Sequence, residues 1–269
     1  VRGVCQRDYA AEAATVCTSC ALSFHGVNDP STPCSGRQAS KLVAADAAAD
    51  DQFGKSVAVD GDTAVIGASY DDDAGSASGS AYVFAKQPDG SWVQVAKLVA
   101  ADGAARDEFG SSVAVDGDTA VIGAYGDDDA GSMSGSAYVF AKQPDGSWVQ
   151  VAKLVAADGA ANDFFGYSVA VDGDTAVIGA WWDDDAGSAS GSAYVFAKQP
   201  DGSWVQAAKL VAADGAAGDE FGGSVALDGD TAVIGAYQDD SAYVFAKQPD
   251  GSWVQVAKLV AADAAAGDY

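Results

Sequence analysis

The sequence predicts an all-β protein, a β-propeller of four four-stranded blades, and three observations carry that prediction. A block running from KLVAAD through FG, SVAVDGDTAVIGA, DDDAGS and SAYVFAKQPDGSWVQ back to KLVAAD is written four times in succession. Its phenylalanine-glycine pairs, at Phe53, Phe109, Phe165 and Phe221, fall 56 residues apart. Periods of this size belong to propeller blades and solenoid coils, whose units bury their apolar faces only against one another. Within a block the apolar pattern has period two, the mark of strands. Its first two strands are built from Ala, Val, Ile and Gly, whereas Tyr82, Phe84 and Trp92 fall in the third and fourth. That gradient suits blades crowded at an axis and splayed outward.

The elements of the first block follow in order. Val57 and Val59 alternate with Ser56, Ala58 and Asp60, and Gly61-Asp62 turns the chain into Thr63-Ala64-Val65-Ile66, a hairpin signature. A third strand, Ala81 to Ala85, is joined through Gln87-Pro88-Asp89-Gly90 to a fourth, Trp92 to Ala96. Ala64 and Ile66 lie on one face and Val65 on the other, so the sheet is apolar on both sides and stacked sheets must cover it. KLVA occurs five times, at Lys41, Lys97, Lys153, Lys209 and Lys258, against four meanders. Three readings stay open: a closed four-bladed ring with the first KLVA as linker, a joint in which Lys41 to Phe53 of one chain completes the last blade of another, and a piece of a larger propeller.

Composition bounds the class. With 49% apolar residues in 269 the chain can pack a core. Its apolar runs are too short to span a membrane. A formal charge of -25 disfavours nucleic acid, which needs a basic patch, and suits a saline or extracellular medium. The start at Val1, with neither a leading methionine nor a signal peptide, fits a mature or truncated product.

All four cysteines, Cys5, Cys17, Cys20 and Cys34, precede the repeats. They divide the chain into a small disulfide-rich module, 1–40, and the repeat domain, 41–269. Cys17 and Cys20 have zinc-like spacing, but His25 is the only histidine and two disulfides account better for a loop-rich segment with little core. Three connectivities are open, and each implies an oxidising, extracellular location. The spacing resembles part of the cysteine-rich modules of tumour-necrosis-factor-receptor and ephrin-receptor ectodomains.

Phe-Gly, a short hairpin and Val-Ile-Gly-Ala together resemble the FG-GAP repeat, the blade unit of integrin alpha-subunit propellers and of many secreted microbial and algal proteins. The resemblance covers residues 41 to 269 and is greatest to the non-integrin branch, through DDD-x-GS-x-SGSAYVF. The proline of that family's Gly-Ala-Pro is replaced by Ser69, Tyr125, Trp181 and Tyr237. The integrin calcium loop is reduced to VDGDT, too short to surround a cation with six or more oxygens, so integrin-type calcium sites are not implied.

The four copies differ mainly in two places, the link into the first strand (DDQFGK, RDEFGS, NDFFGY, GDEFGG) and the residues after the second strand. In an up-and-down meander both emerge at one edge. Tyr70, Tyr125, Phe164, Tyr167, Trp181, Trp182 and Tyr237 therefore share a rim, either as a ligand or partner surface or as packing over the axis. Beside them lie the DDDAGS runs. These read either as solvated acidic loops or as calcium ligands through Asp71, Asp73, Asp127, Asp129, Asp183 and Asp185. No cofactor is required by any motif, and calcium is the one metal these carboxylates suit. The sequence has no nucleophile elbow, P-loop or dinucleotide fingerprint. The expectation is accordingly a non-enzymatic extracellular or cell-surface protein for structure, adhesion or assembly. Its partners would be other extracellular proteins, copies of itself, or glycans. A calcium- or carbohydrate-binding lectin-like module is the alternative.

Overall fold

The computed structural model describes residues 41–262. The cysteine module expected at 1–40, with Cys5, Cys17, Cys20 and Cys34, lies outside the described residues. Sixteen strands form four antiparallel sheets, each a meander in chain order. The first comprises β1 (Val57–Asp60), β2 (Thr63–Ala68), β3 (Ser80–Lys86) and β4 (Trp92–Leu98). The second comprises β5 (Ser112–Asp116), β6 (Thr119–Ala124), β7 (Ser136–Lys142) and β8 (Trp148–Leu154). β9 (Phe165–Asp172), β10 (Thr175–Ala180), β11 (Ser192–Lys198) and β12 (Trp204–Leu210) make the third. The fourth contains β13 (Phe221–Asp228), β14 (Thr231–Ala236), β15 (Ser241–Lys247) and β16 (Trp253–Val260). The sheets stand side by side, with β1 next to β5, β5 to β9 and β9 to β13.

Local chemistry sets each meander. Asp60 pairs with Thr63 across a two-residue loop whose first position, Gly61, has φ 52°, where a side chain would be strained. Val83 pairs with Ala96 but Phe84 with Gln94, leaving Val95 as the extra residue of a bulge. The same irregularity recurs in the other three sheets.

The cores lie between sheets. One of them joins Val65, Ala81, Val83 and Leu98 of the first sheet to Phe109, Val113, Ile122, Tyr138 and Phe140 of the second. Phe109 meets Tyr138 and Phe140 edge-on, with centroids 5.4 and 5.9 Å away. The repeated FG therefore fills the joint to the preceding sheet. Its glycine is needed because backbones touch there: a Cβ on Gly166 or Gly222 would lie 2.2 Å from the carbonyl oxygen of Ser136 or Ser192, and one on Gly123 or Gly179 of the second strand would lie 1.9 or 2.0 Å from the carbonyl oxygen of Gly166 or Gly222 in the next repeat. The loop after β2 clasps the following link as well. Arg106, Glu108 and Phe109 donate their N–H groups to the carbonyls of Ser76, Ala77 and Ser78 at 2.8, 3.1 and 3.0 Å. At the opposite edge, Asp60, Asp116 and Asp172 accept from the N–H groups of Gly117, Gly173 and Gly229. The invariant VDGDT turn is thus a contact from blade to blade.

The series does not close on itself. Val57 is 68% exposed where its equivalents Val113 and Val169 are 7% and 9% exposed, and Val59 is 67% exposed where its equivalent Val171 is 9% exposed. Leu259 is 50% exposed where Leu98, Leu154 and Leu210 are 2% exposed. The expected ring is an open arc. The last sheet has its own fourth strand, so completion by residues 41–53 of another chain is not needed. Instead Leu42 and Ala44 pack on the first sheet, against Ala64, Ile66, Tyr82 and Phe84. The N–H of Ala45 donates to Gln94 Oε1 at 2.9 Å, as Ala101 does to Gln150 and Ala157 to Gln206. The fifth KLVA is a strap that imitates the end of a preceding blade.

Gly179→Ala should lower stability by about 3 kcal/mol, because rigid backbone opposes the added methyl. Gly235→Ala, at the same repeat position, meets only the rotatable Ser224 Oγ and should cost below about 1 kcal/mol. Denaturant midpoints compare the two.

Candidate functional site

Two arrays of polar and aromatic groups occupy the variable edge. The first is a cage around a lysine of each fourth strand. Lys153 Nζ lies 2.7 Å from Asp102, 2.9 Å from Asp127 and 2.5 Å from Asp129. Tyr138 donates its hydroxyl to Asp127 at 2.8 Å, and the ammonium stands 5.2 Å from its ring centroid. Lys97 is held in the same way by Asp46, Asp71 and Asp73, and Lys209 by Asp158, Asp183 and Asp185. In the last sheet the loop shrinks to a 3₁₀ turn, Tyr237–Asp239, and Asp239 takes the place of Asp183, accepting from Tyr243 and facing Lys258.

The aspartates read as metal ligands, Asp71, Asp73, Asp127, Asp129, Asp183 and Asp185, therefore surround an ammonium. The carboxylates of Asp46, Asp71 and Asp73 lie within 4.8 Å of one another, a spacing that would also suit a cation, but Lys97 sits among them. The middle aspartate of the run does something else: Asp72 and Asp128 accept the N–H groups of Ala77 and Met133 within their own loops. The third carboxylate of the cage, Asp46 or its equivalents, belongs to the invariant KLVAAD and was not singled out in the sequence, because it meets its lysine only across a joint 51 residues long.

Burial works against charge in the cage, and the pairs overcome it. Desolvation opposes the ammonium of Lys153, yet its hydrogen bonds to Asp102, Asp129 and Asp127 hold its pKa above the ordinary lysine range. Asp102 is pushed up by burial but ends lower than an ordinary aspartate through Lys153 and Tyr138. Asp163 behaves oppositely. It is 7% exposed, burial raises its pKa, and the nearby Asp183 adds to this, so that it reaches about 6 despite the N–H of Ala160 donating to it.

The second array is the rim. Tyr125, Phe164, Tyr167, Trp181 and Trp182 form one continuous cluster. Trp181 lies 4.8 Å from Trp182, 5.2 Å from Tyr167 and 5.8 Å from Phe164, and Tyr125 lies 5.8 Å from Phe164 and 5.7 Å from Tyr167. The structure brings these five expected residues together between the second and third sheets. Tyr70 and Tyr237 stand outside that ring-to-ring cluster, 41% and 52% exposed.

Two acidic residues of the rim were missed in the sequence. Glu108 accepts the hydroxyl of Tyr125, whose pKa is raised by burial and then by this carboxylate. Glu220 lies beside Tyr237 and raises the pKa of that phenol. Its Oε2 is buried without a hydrogen-bond partner among the described residues, as is Nε1 of Trp181. Both glutamates precede an FG and hold φ near 55°, at 54° and 57°, as do Gln52 and Phe164 at 57° and 55°. Left-handed backbone at non-glycine residues is costly and is concentrated at functional sites. The available signal was that this single repeat position reads Gln, Glu, Phe and Glu in the four copies.

The FG-GAP repeat family matches at residues 37–84, 92–140, 148–196 and 204–245, and the chain belongs to it. Each match after the first begins on a fourth strand and ends in the third strand of the next sheet. The family unit therefore spans a joint rather than a blade. No curated protein sequence matches the chain. Among solved structures, a protein from Lactobacillus plantarum is 15% identical, with TM-score 0.54, over 79% of this chain and 57% of the other. A periplasmic gluconolactonase of Pseudomonas aeruginosa is 18% identical, with TM-score 0.52, over 78% and 58%. A putative 6-phosphogluconolactonase from Bacteroides fragilis is 13% identical, with TM-score 0.52, over 77% and 57%.

The likeness is one of fold, and the chain spans less than two thirds of the length of these structures. It nevertheless overturns the expectation of a non-enzymatic adhesion, structural or lectin-like protein. That expectation rested on missing sequence motifs, whereas the structures alike in fold include a gluconolactonase and a putative 6-phosphogluconolactonase. The integrin-like branch of the resemblance receives no support from these matches. Among the described residues no helix is long and apolar enough to cross a membrane.

Lys153→Met should lower stability by about 3 kcal/mol by leaving three carboxylates facing one another. Lys198→Met, which removes an exposed pair at 3.9 Å, should change it by less than about 0.5 kcal/mol. Asp163→Asn should raise the melting temperature at pH 7 and leave it unchanged near pH 4. A carboxyl whose folded pKa is raised to about 6 binds its proton more tightly in the folded state. Its contribution to stability therefore falls as pH rises from the unfolded value through 6, and Asn removes that loss.

Proposed function

We propose that the chain is part of a hydrolase acting on a cyclic ester of a sugar acid, with its site on the aromatic rim. The buried, unpartnered Oε2 of Glu220 carries this reading. A carboxylate oxygen desolvated in that way, on a rim of tyrosines and tryptophans, is a hydrogen-bond acceptor waiting for a donor, and a water molecule supplies one. The aromatic faces of Trp181, Trp182 and Tyr167 suit the apolar face of a sugar ring. The gluconolactonase and the putative 6-phosphogluconolactonase that share this fold support the reaction class by analogy.

In this reading Glu220 takes a proton from water as the water oxygen bonds to the lactone carbonyl carbon. The ring carbon–oxygen bond then breaks, and the proton passes to the departing ring oxygen, which leaves an open hydroxy acid. The reaction needs no cofactor. We place the protein outside the cytoplasm, with residues 1–40 as a separate disulfide-stapled module. The acidic surface, the four clustered cysteines and the periplasmic neighbour support this placement.

Hydrolysis of glucono-1,5-lactone followed by pH-stat should saturate and exceed the spontaneous rate. Glu220→Gln should lower kcat about 100-fold, within the usual span for a general base. Trp181→Ala should act mainly on KM. A rate equal to the spontaneous one, or one that Glu220→Gln leaves unchanged, would sink the proposal.

A further inference from the structure

The two ends of the arc carry the two halves of the joint that is made three times inside it. An internal joint places the back of one sheet, such as Val65, Ala81, Val83 and Leu98, against the front of the next, such as Val113, Ile122 and Tyr138. At the last sheet the back is uncovered. Leu259 is half exposed, and Val233, Ala242 and Val244 are only partly buried, whereas Val177, Ala193 and Val195 at the same repeat positions are fully buried. At the first sheet the front is uncovered at Val57 and Val59, and elsewhere, among the described residues, the strap, Leu42 to Asp46, and the Phe53 ring lie over it. A free back and a free front with the residues of an established joint are complementary by repetition.

The strap supplies the second half of the argument. KLVAAD at 41–46 is identical to KLVAAD at 258–263. Leu42 and Ala44 fill on the first sheet the places that Leu98 and Ala100 fill on the second, and Asp46 reaches Lys97 as Asp102 reaches Lys153. The strap therefore occupies the seat of a preceding fourth strand, and the same six residues of another chain fit that seat equally well.

We infer that a second copy of this chain docks its first sheet on the last sheet of its partner, the partner's C-terminal KLVAAD displacing the strap. The last repeat lacks the DDDAGS clasp that holds each internal link, since Tyr237–Asp239 runs directly to Ser241. The joint is thus made by side-chain faces and strap exchange alone, which makes it reversible and dependent on concentration.

Sedimentation velocity of the full chain over a dilution series tests this, with matching denaturation midpoints as the control for folding. The native chain should associate as concentration rises. Val244→Asp with Leu259→Asp should be monomeric throughout, and so should Val57→Asp with Val59→Asp. An equimolar mixture of these two variants should form a one-to-one dimer and nothing larger, because each retains one half of the joint. Leu42→Asp in the otherwise native chain should strengthen association about tenfold by loosening the strap. A native chain that stays monomeric, a blocked variant that still associates, a mixture that forms no dimer, or a Leu42→Asp chain that associates less well would each overturn the inference.

Discussion

A lysine ammonium, half-buried at the edge of each of the first three sheets, is the constraint around which the rest is arranged. Desolvation penalises its charge, and only carboxylates brought from elsewhere offset the penalty. For Lys153 these come from the tail of the preceding sheet, Asp102, and from the loop after β6, Asp127 and Asp129. Tyr138 of β7 locks Asp127 in place. One cation thus ties two sheets and three segments, and the apolar joint centred on Phe109 or Phe165 lies beneath it. Two carboxylates still face Lys258 after the last loop is shortened, because Asp239 is retained while the residues that would clasp a further link are lost.

The joint, rather than the blade, is the unit of this protein. The family match starts and stops within sheets. The hydrophobic clusters likewise draw from two sheets at a time. The close approach of Gly123 to the Gly166 carbonyl shows why the two dipeptides that define the repeat, FG and GA, belong to neighbouring repeats in space. The strap at Leu42 is then half of a joint without its blade, and the exposed Leu259 is the opposite half. Rigid joints also serve the rim: Glu108, Phe164 and Glu220 are held in left-handed backbone by links that are clasped from the preceding loop.

Much of this was legible in the residues. The alternation around Val57, the Gly61-Asp62 turn and the Gln87 to Gly90 connection marked the four strands of each meander to within a few residues. Comparing the copies placed Tyr125, Phe164, Tyr167, Trp181 and Trp182 on one edge, where their rings do meet. The acidic runs were misleading because charge count alone cannot show that a lysine 26 residues away neutralises them. Glu108 and Glu220 were overlooked since an acidic residue in an acidic chain stands out only when its neighbours and burial are known.

By itself, the sequence determined what depends on neighbours along the chain: the period, the strands, the turns, and the edge on which variation falls. These follow from alternation and from backbone preferences at glycine, which act over a few residues. Only the tertiary structure decided what depends on distance in space. The aspartates became a lysine cage, one carboxylate oxygen of Glu220 was stripped of partners, and the arc stayed open. Each of these is set by desolvation and packing between segments about one repeat apart, and no local pattern encodes which of several identical copies will be the partner.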